Sequence, residues 1–230
     1  MNTDFEPHIC AYLDILGGAK LFSTATTDQN SVERFLASIR GFERRLSGSR
    51  PGQAIVKAFS DNVFAAIPIA GTRTIGEEQW IAYFLNEIAI QVQQIFLMYE
   101  LPLRGGITIG DLYKEKDVVL GPGALEAVRL EESADYPRVV ISDSVRTRLS
   151  KGGEVPADMF VEHPLLYTGA DGVTSLNYLC LYPWLLKPHE EIIERRLSEF
   201  AGEPGVRRKY EWLESYHLGM EGRMRDLRLL

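Results

Sequence analysis

Apolar and polar positions alternate between a two-residue and a 3.6-residue period along this chain, so strands and helices are predicted to follow one another. Ile9-Cys10-Ala11-Tyr12-Leu13-Asp14 is a short apolar run that ends on an acid, the pattern of a buried strand. Gly17 and Gly18 follow it and lead into a helical segment that resumes after a Thr/Asp/Asn break and runs through Ser31–Leu46, with Phe35, Ile39 and Phe42 at helical spacing. The composition of Ser47-Gly48-Ser49-Arg50-Pro51-Gly52 predicts a turn. Gln53–Phe59 and Val63–Ile69 read as a hairpin tipped by Ser60-Asp61-Asn62. A long amphipathic helix is predicted over Glu77–Glu100, with Trp80, Phe84, Ile88, Val92 and Phe96 on one stripe. Leu103–Ile109 is a further strand, Gly121-Pro122-Gly123 opens a helix to about Ala134, and Arg138–Ser142 is a strand again. Two more strands are expected within Phe160–Tyr182, around the turn Gly169-Ala170-Asp171-Gly172. From Lys187 the chain is helical and charge-rich, broken at Gly202-Glu203-Pro204-Gly205. The order β-α-β-β-α-β predicts an α+β fold of the ferredoxin-like type, a mostly antiparallel central sheet covered by helices.

Composition narrows the function classes. At 230 residues the chain is about one and a half typical domains, here divided into a main domain over 1–186 and a helical extension over 187–230 that packs on it or on a dimer mate. Hydrophobic residues make up 45% and charged residues 25%, as in folded globular proteins. The formal charge of −7 argues against binding a nucleic acid polymer through a basic surface. The apolar stretches Val63–Gly71 and Ile88–Tyr99 are short or broken by Pro68, Gln91, Gln93 and Gln94, so no bilayer-spanning helix is expected. Asp4 and Glu6 precede any apolar run, unlike a signal peptide, and Cys10 and Cys180 sit in strand-like runs that predict no disulfide framework; a cytoplasmic protein is the expectation. His8, His163, His189 and His217 lack metal-ligand spacing, and no P-loop or nucleophile elbow occurs.

The chemical signal is a pair of acids. Asp14 ends a buried strand and Asp61 tips a hairpin; if their strands are neighbours, both carboxylates reach one point. Two carboxylates with few nearby bases suit Mg²⁺ or Mn²⁺, which prefer oxygen ligands. Gly17, Gly18 and Ala19 lie at a helix start, where backbone amides uncrowded by side chains can cradle phosphate.

These residues resemble a family. Asp14-Ile15-Leu16-Gly17 is similar to the first metal-binding motif of class III nucleotide cyclases, Asp-Ile-x-Gly. Lys57-Ala58-Phe59-Ser60-Asp61 is similar to the second, Lys-x-x-Gly-Asp, with Ser60 in place of glycine. Leu103-Arg104-Gly105-Gly106-Ile107-Thr108-Ile109-Gly110 resembles the strand written Arg-x-Gly-Ile-x-x-Gly, and Gly121–Glu131 resembles the helix that carries the transition-state residues, with Arg129 at the arginine position. The likeness spans roughly residues 8 to 145. It departs at Leu125, where the family has a ribose-binding asparagine, and near Val118, where an adenine-reading acid would stand and Asp117 is one position off. With Lys57 kept and its partner altered, the resemblance implies a base other than a purine; the short chain, the Arg104-Gly105-Gly106 strand and the Gly121-Pro122-Gly123-Ala124-Leu125-Glu126 helix start look most like the bacterial pyrimidine cyclases of Pycsar antiphage systems.

The resemblance implies a ring closure that makes cyclic UMP or cyclic CMP from the triphosphate, with UTP preferred here, in a phage response that activates an effector protein. It also implies two Mn²⁺ or Mg²⁺ ions per site held by Asp14, Asp61 and the Ile15 carbonyl, with Arg129 at the α-phosphate. Gly17, Gly18, Ala19, Lys57 and Arg104 fall at substrate-binding positions. Metal acids and arginine come from opposite subunits in the family, which implies a homodimer with composite sites. Plainer roles stand beside these: Lys57 as a strand residue with a solvated tip, Arg104 as an acid's partner that positions its strand, and Arg129 in a helix-surface pair with Glu126 or Glu132. A purine cyclase and a non-catalytic nucleotide-binding module are the alternatives.

Overall fold

The computed structural model describes residues 4–23, 29–49, 53–69, 76–115, 118–151, 165–179 and 182–226. Cys180, His163, Asp117, the residues 50–52 of the expected turn and the opening of the 160–182 strand region lie outside them. Eight strands are described: β1 (Glu6–Ile15), β2 (Ile55–Phe59), β3 (Asn62–Pro68), β4 (Leu103–Glu115), β5 (Val118–Leu120), β6 (Val139–Ile141), β7 (Leu166–Thr168) and β8 (Thr174–Leu176). The helices are α1 (Gly18–Ser23), α2 (Gln29–Ser49), α3 (Glu77–Tyr99), α4 (Pro122–Glu132), α5 (Asp143–Lys151), α6 (Leu186–Glu199) and α7 (Pro204–Asp226). The strand order is β2-β3-β1-β4-β6-β8-β7, with β5 folded back on β4; the β4–β6 pair is parallel and the others are antiparallel. This is the expected α+β sheet. Helix α2 runs on through Ser47-Gly48-Ser49, which the composition had predicted as turn.

The pleat sends alternate residues of β1 to opposite faces, and the two faces differ. Ile9, Ala11, Leu13 and Ile15 join Val63, Ala65, Ile67, Ile107, Val139 and Ile141 in the main core, under the stripes of α2 (Phe35, Phe42, Leu46) and α3 (Trp80, Phe84, Ile88, Val92). Cys10 belongs to a smaller cluster on the other face with Ile55, Ala66, Leu112 and Ala127, beneath α4. Burial pushes the Cys10 thiol up to about 12. Glycine is required where α4 meets the sheet: a Cβ on Gly106 would stand 2.4 Å from the Ala127 carbonyl oxygen and from Leu130 Cβ.

Helix α3 is the element that departs from the membrane expectation. By length and composition alone it is long and apolar enough to cross a bilayer, yet 61% of its apolar window is buried inside the protein. Its apolar stripe faces the sheet, its first turn carries Glu77 and Glu78 at the positive end of the helix dipole, and Glu100 closes it with φ 56 and an N–H donated to the Phe96 carbonyl. Helix α5 and strand β5 are elements that the hydrophobic pattern does not announce. Each is short, and α5 offers only Val145 and Leu149 as a buried apolar pair.

The C-terminal helices share the core. Tyr216, Met220 and Met224 of α7 are buried in the main cluster, and Tyr216 Oη donates to Asn177 Oδ1 at 2.8 Å while accepting from the Leu179 N–H at 3.2 Å. His189 of α6 lies buried between Tyr178 Oη (2.8 Å from Nε2) and His217 of α7 (Nδ1 to Nδ1, 3.2 Å). Burial inside the protein disfavours a charge on His189. Burial first, and His217 second, lower its pKa to about 3. A histidine depressed below its unfolded value of about 6.5 contributes stability that is fully present above that pH and is lost as the pH falls toward the folded value. The unfolding free energy is expected to drop on acidification from pH ~7 to ~5, with His189 contributing up to about 1.4 kcal/mol per pH unit. Urea titrations along this pH series test it: the slope is shallower in His189→Asn, and equal slopes in the two proteins would remove His189 as the cause.

Candidate active site

The sheet register builds a second-face patch residue by residue. Asp14 stands opposite Asn62 of β3 and Arg104 of β4, and Asn62 stands opposite Phe59 of β2. The next row on the same face, two residues along each strand, is Lys57, Phe64, Tyr12 and Gly106. Lys57 and Phe59 are exposed, Phe59 by 83%, while Tyr12, Asp14, Asn62, Phe64 and Arg104 are half-buried. Lys57 therefore shares one face with Asp14, on strands separated by β3.

Asp61 reaches the same end of the sheet through its turn. Ser60 and Asp61 alone connect β2 to β3, and Ser60 has a φ of 54, the left-handed backbone that favours glycine. That position is the one where the cyclase motif carries glycine. The Asp61 carbonyl accepts the Ile15 N–H at 3.0 Å, which ties the hairpin tip to the end of β1, and Asn62 Nδ2 donates to Asp61 Oδ1 at 3.3 Å. Asp14 and Asp61 are thus brought to the same end of the sheet by β1–β3 pairing, and Gly18 lies against Asp61. A Cβ on Gly18 would stand 2.5 Å from Asp61 Cβ and 3.3 Å from Asp61 Oδ2. Gly17 takes the left-handed φ of 88 that turns the chain from β1 into α1, and Ala19 follows, exposed, in its first turn.

Arg104 occupies the space between two carboxylates. Its Nε–H donates to Asp14 Oδ2 at 3.2 Å, and the same nitrogen lies 2.6 Å from Glu131 Oε1 of α4. Because the hydrogen points at Asp14, Glu131 Oε1 is in ion-pair contact but receives no hydrogen bond. The Glu131 side chain is only 7% exposed. Burial raises its pKa; Arg104 opposes that shift and Asp14 adds to it. Tyr12 is raised as well, by burial and then by the surrounding charges of Glu131, Asp14 and Asp61. Glu131 is the site residue that motif reading leaves without a role. Its sequence signal is spacing: Ala124, Ala127 and Glu131 fall at i, i+3 and i+7 on the sheet-facing side of α4, and an acid on such a stripe demands a buried cation.

Other motif residues are not brought to this point within one chain. The Arg129 side chain is 73% exposed and pairs with Glu126 at 3.6 Å, the plain helix-surface contact. Leu125 is 62% exposed on the same helix, and Val118 is half exposed in β5.

Among the described residues no group of three or more His, Cys, Asp or Glu side chains is placed to hold a metal ion. Asp14, Asp61 and the Ile15 carbonyl would offer oxygen donors of the kind that Mg²⁺ and Mn²⁺ accept, with a ligand such as a triphosphate completing the shell. The close approach of Gly18 to Asp61 fits such a set, since no side chain blocks that carboxylate there. Mn²⁺ is expected to raise the melting temperature; Gly18→Ala is expected to abolish that rise, while Gly48→Ala, where an added Cβ meets nothing within 4 Å, keeps it. An unchanged rise in Gly18→Ala would show that Gly18 does not shape the cation site.

Comparison with known proteins bears on the fold. The chain matches no protein-family model and no curated protein. Among solved structures it is similar to the adenylyl cyclase CyaB from P. aeruginosa, at 14% identity over 77% of this chain and 96% of that one, with a TM-score of 0.51. Also similar are the catalytic core of a rhodopsin-guanylyl cyclase with converted specificity in complex with ATPαS (17% identity, 75% of this chain, 96% of that one, TM-score 0.48) and an adenylate/guanylate cyclase/hydrolase from Silicibacter pomeroyi (20% identity, 75% and 95%, TM-score 0.43). The sheet order, the α4 packing and the CyaB likeness together give this chain the fold of class III nucleotide cyclase catalytic domains.

Proposed function

We propose that the chain is a metal-dependent nucleotide cyclase whose substrate is a pyrimidine triphosphate, UTP before CTP, and whose product is the 3′,5′-cyclic monophosphate with pyrophosphate leaving. The observation that carries the reading is the convergence of Asp14 and Asp61 beside Gly18, on the sheet face that also presents Lys57. Asp14, Asp61 and the Ile15 carbonyl would hold Mn²⁺ or Mg²⁺, two ions per site, and that charge would lower the pKa of the ribose 3′-hydroxyl and offset charge on the phosphates. In the reaction the 3′-oxygen bonds to the α-phosphorus, the bond from that phosphorus to the β-bridging oxygen breaks, and the hydroxyl proton leaves to solvent.

The remaining roles belong to the chain's own groups. Gly17, Gly18 and Ala19 offer backbone amides to the phosphates at the start of α1. Lys57 donates to the base; uracil and cytosine both present acceptors to it. Arg129 stabilises charge at the α-phosphate of the partner subunit's nucleotide, which requires a homodimer. The exposure of Arg129, Phe59 and Leu125 supports a second copy across this face. The pyrimidine preference and a signalling role in antiphage defence, through an effector protein that takes the product, are supported by the sequence resemblance.

One observation favours a second reading. Arg104 pairs with Asp14 at 3.2 Å, a contact that a non-catalytic nucleotide-binding module would keep. The deciding experiment incubates the purified protein with Mn²⁺ and each of the four ribonucleoside triphosphates and identifies products by mass spectrometry. A cyclic pyrimidine monophosphate is expected, reduced by about 100-fold or more in Asp61→Ala and in Arg129→Ala. Mixing those two variants is expected to restore part of the activity through hybrid dimers. A cyclic purine would replace the base assignment, and absence of product from every nucleotide would favour the binding module.

A further inference from the structure

The Arg104 guanidinium is placed where it opposes a cation, and its surroundings offer it somewhere else to go. It donates its Nε–H to Asp14, the strand-end carboxylate, and simultaneously lies 2.6 Å from a Glu131 oxygen that no hydrogen bond satisfies. Glu131 is the nearer of the two carboxylates, at 2.6 Å against 3.2 Å for Asp14, so it competes with Asp14 for the one Nε–H. Both contacts use the same nitrogen, so a small rotation of the guanidinium exchanges one carboxylate for the other. A positive charge beside Asp14 raises the energy of a dication bound there, and a positive charge drawn back onto Glu131 lowers it.

We propose that Arg104 is a built-in counter-ion of the metal site, that it holds Asp14 in the metal-free protein, and that Glu131 is the positioning residue that draws it away when a divalent cation binds. The proposal rests on the metal-site reading above and adds a control on it: cation affinity is set by which carboxylate owns Arg104. Helix α4 then participates in metal loading although it supplies no ligand. Glu131 is anchored for this role by its neighbours, because Ala127 one turn earlier is fully buried against the sheet and Gly106 admits the helix at contact distance.

The test is a Mn²⁺ titration of the full-length protein followed by electron paramagnetic resonance of the free ion, with no nucleotide and no activity readout. Arg104→Gln is expected to bind Mn²⁺ roughly two- to fivefold more tightly, the upper range of a solvent-accessible ion pair converted to an equilibrium ratio. Glu131→Gln keeps the side-chain volume and is expected to bind roughly two- to fivefold more weakly, because Arg104 then stays on Asp14. The double variant separates positioning from direct attraction: it should match Arg104→Gln, since Glu131 acts only through Arg104. A double variant that retains the full Glu131→Gln loss would make Glu131 a direct electrostatic contributor and overturn its positioning role. Unchanged or weaker binding in Arg104→Gln, in a protein whose Mn²⁺ binding still depends on Asp61, would overturn the counter-ion role while leaving the metal site in place. No Asp61-dependent binding in any of the proteins would overturn the metal-site reading and this proposal with it.

Discussion

A carboxylate at the end of a central strand is the constraint around which this structure is arranged. Asp14 belongs to β1, which has β3 on one side and β4 on the other, so its charge cannot turn away to bulk water as it could on an edge strand. An unpaired charge in such a place costs several kcal/mol. The chain answers with Arg104 directly opposite, and the guanidinium in turn draws in Glu131 from α4. Three groups from three elements are therefore fixed by one electrostatic demand. The same demand explains why a dication is an attractive alternative occupant: the Asp14–Arg104–Glu131 group carries one net negative charge, and Asp61 beside it adds another.

The rest of the architecture keeps that end of the sheet available. Main-core packing consumes the odd-numbered residues of β1 and leaves the even-numbered ones for the second face. On that face α4 seals the middle of the sheet, through glycines that let it approach at backbone contact, and stops short of Lys57 and Phe59. The C-terminal helices pack on α3 and on the β7–β8 side, where Tyr210 Oη donates to the Glu100 carbonyl and Tyr216 to Asn177, and so do not cover the acids. The half-buried charge cluster bordered by the exposed Phe59 is the surface that the proposed composite site would use.

Much of this was legible in the sequence, and the limits have physical causes. The strand carrying Asp14 and the hairpin carrying Asp61 were readable because apolar runs ending in an acid, and a polar turn between two such runs, have few other solutions. The register that faces Asp14 toward Asn62 and Arg104 follows from the two-residue turn Ser60-Asp61 and from strand alternation, given the topology. Helix α5 and strand β5 were not readable, since each contributes too few buried residues to form a period. Glu131 went unassigned for a different reason: a glutamate is ordinary in a helix, and its burial is known only once the helix face is fixed against Gly106. Within a single chain Arg104 pairs with acids, and Arg129 takes Glu126, one of the two helix-surface partners, Glu126 and Glu132, that its spacing allows.

The central claim is that Asp14 and Asp61 form one metal–nucleotide site. The most direct measurement is a crystal structure with Mn²⁺ and a non-cyclisable pyrimidine triphosphate, with the anomalous signal of manganese locating the ions. The account predicts anomalous peaks bridging the Asp14 and Asp61 carboxylates, triphosphate along Gly17–Ala19, and Arg104 turned onto Glu131. Nucleotide bound with no manganese at the two acids, and Arg104 still on Asp14, would contradict it.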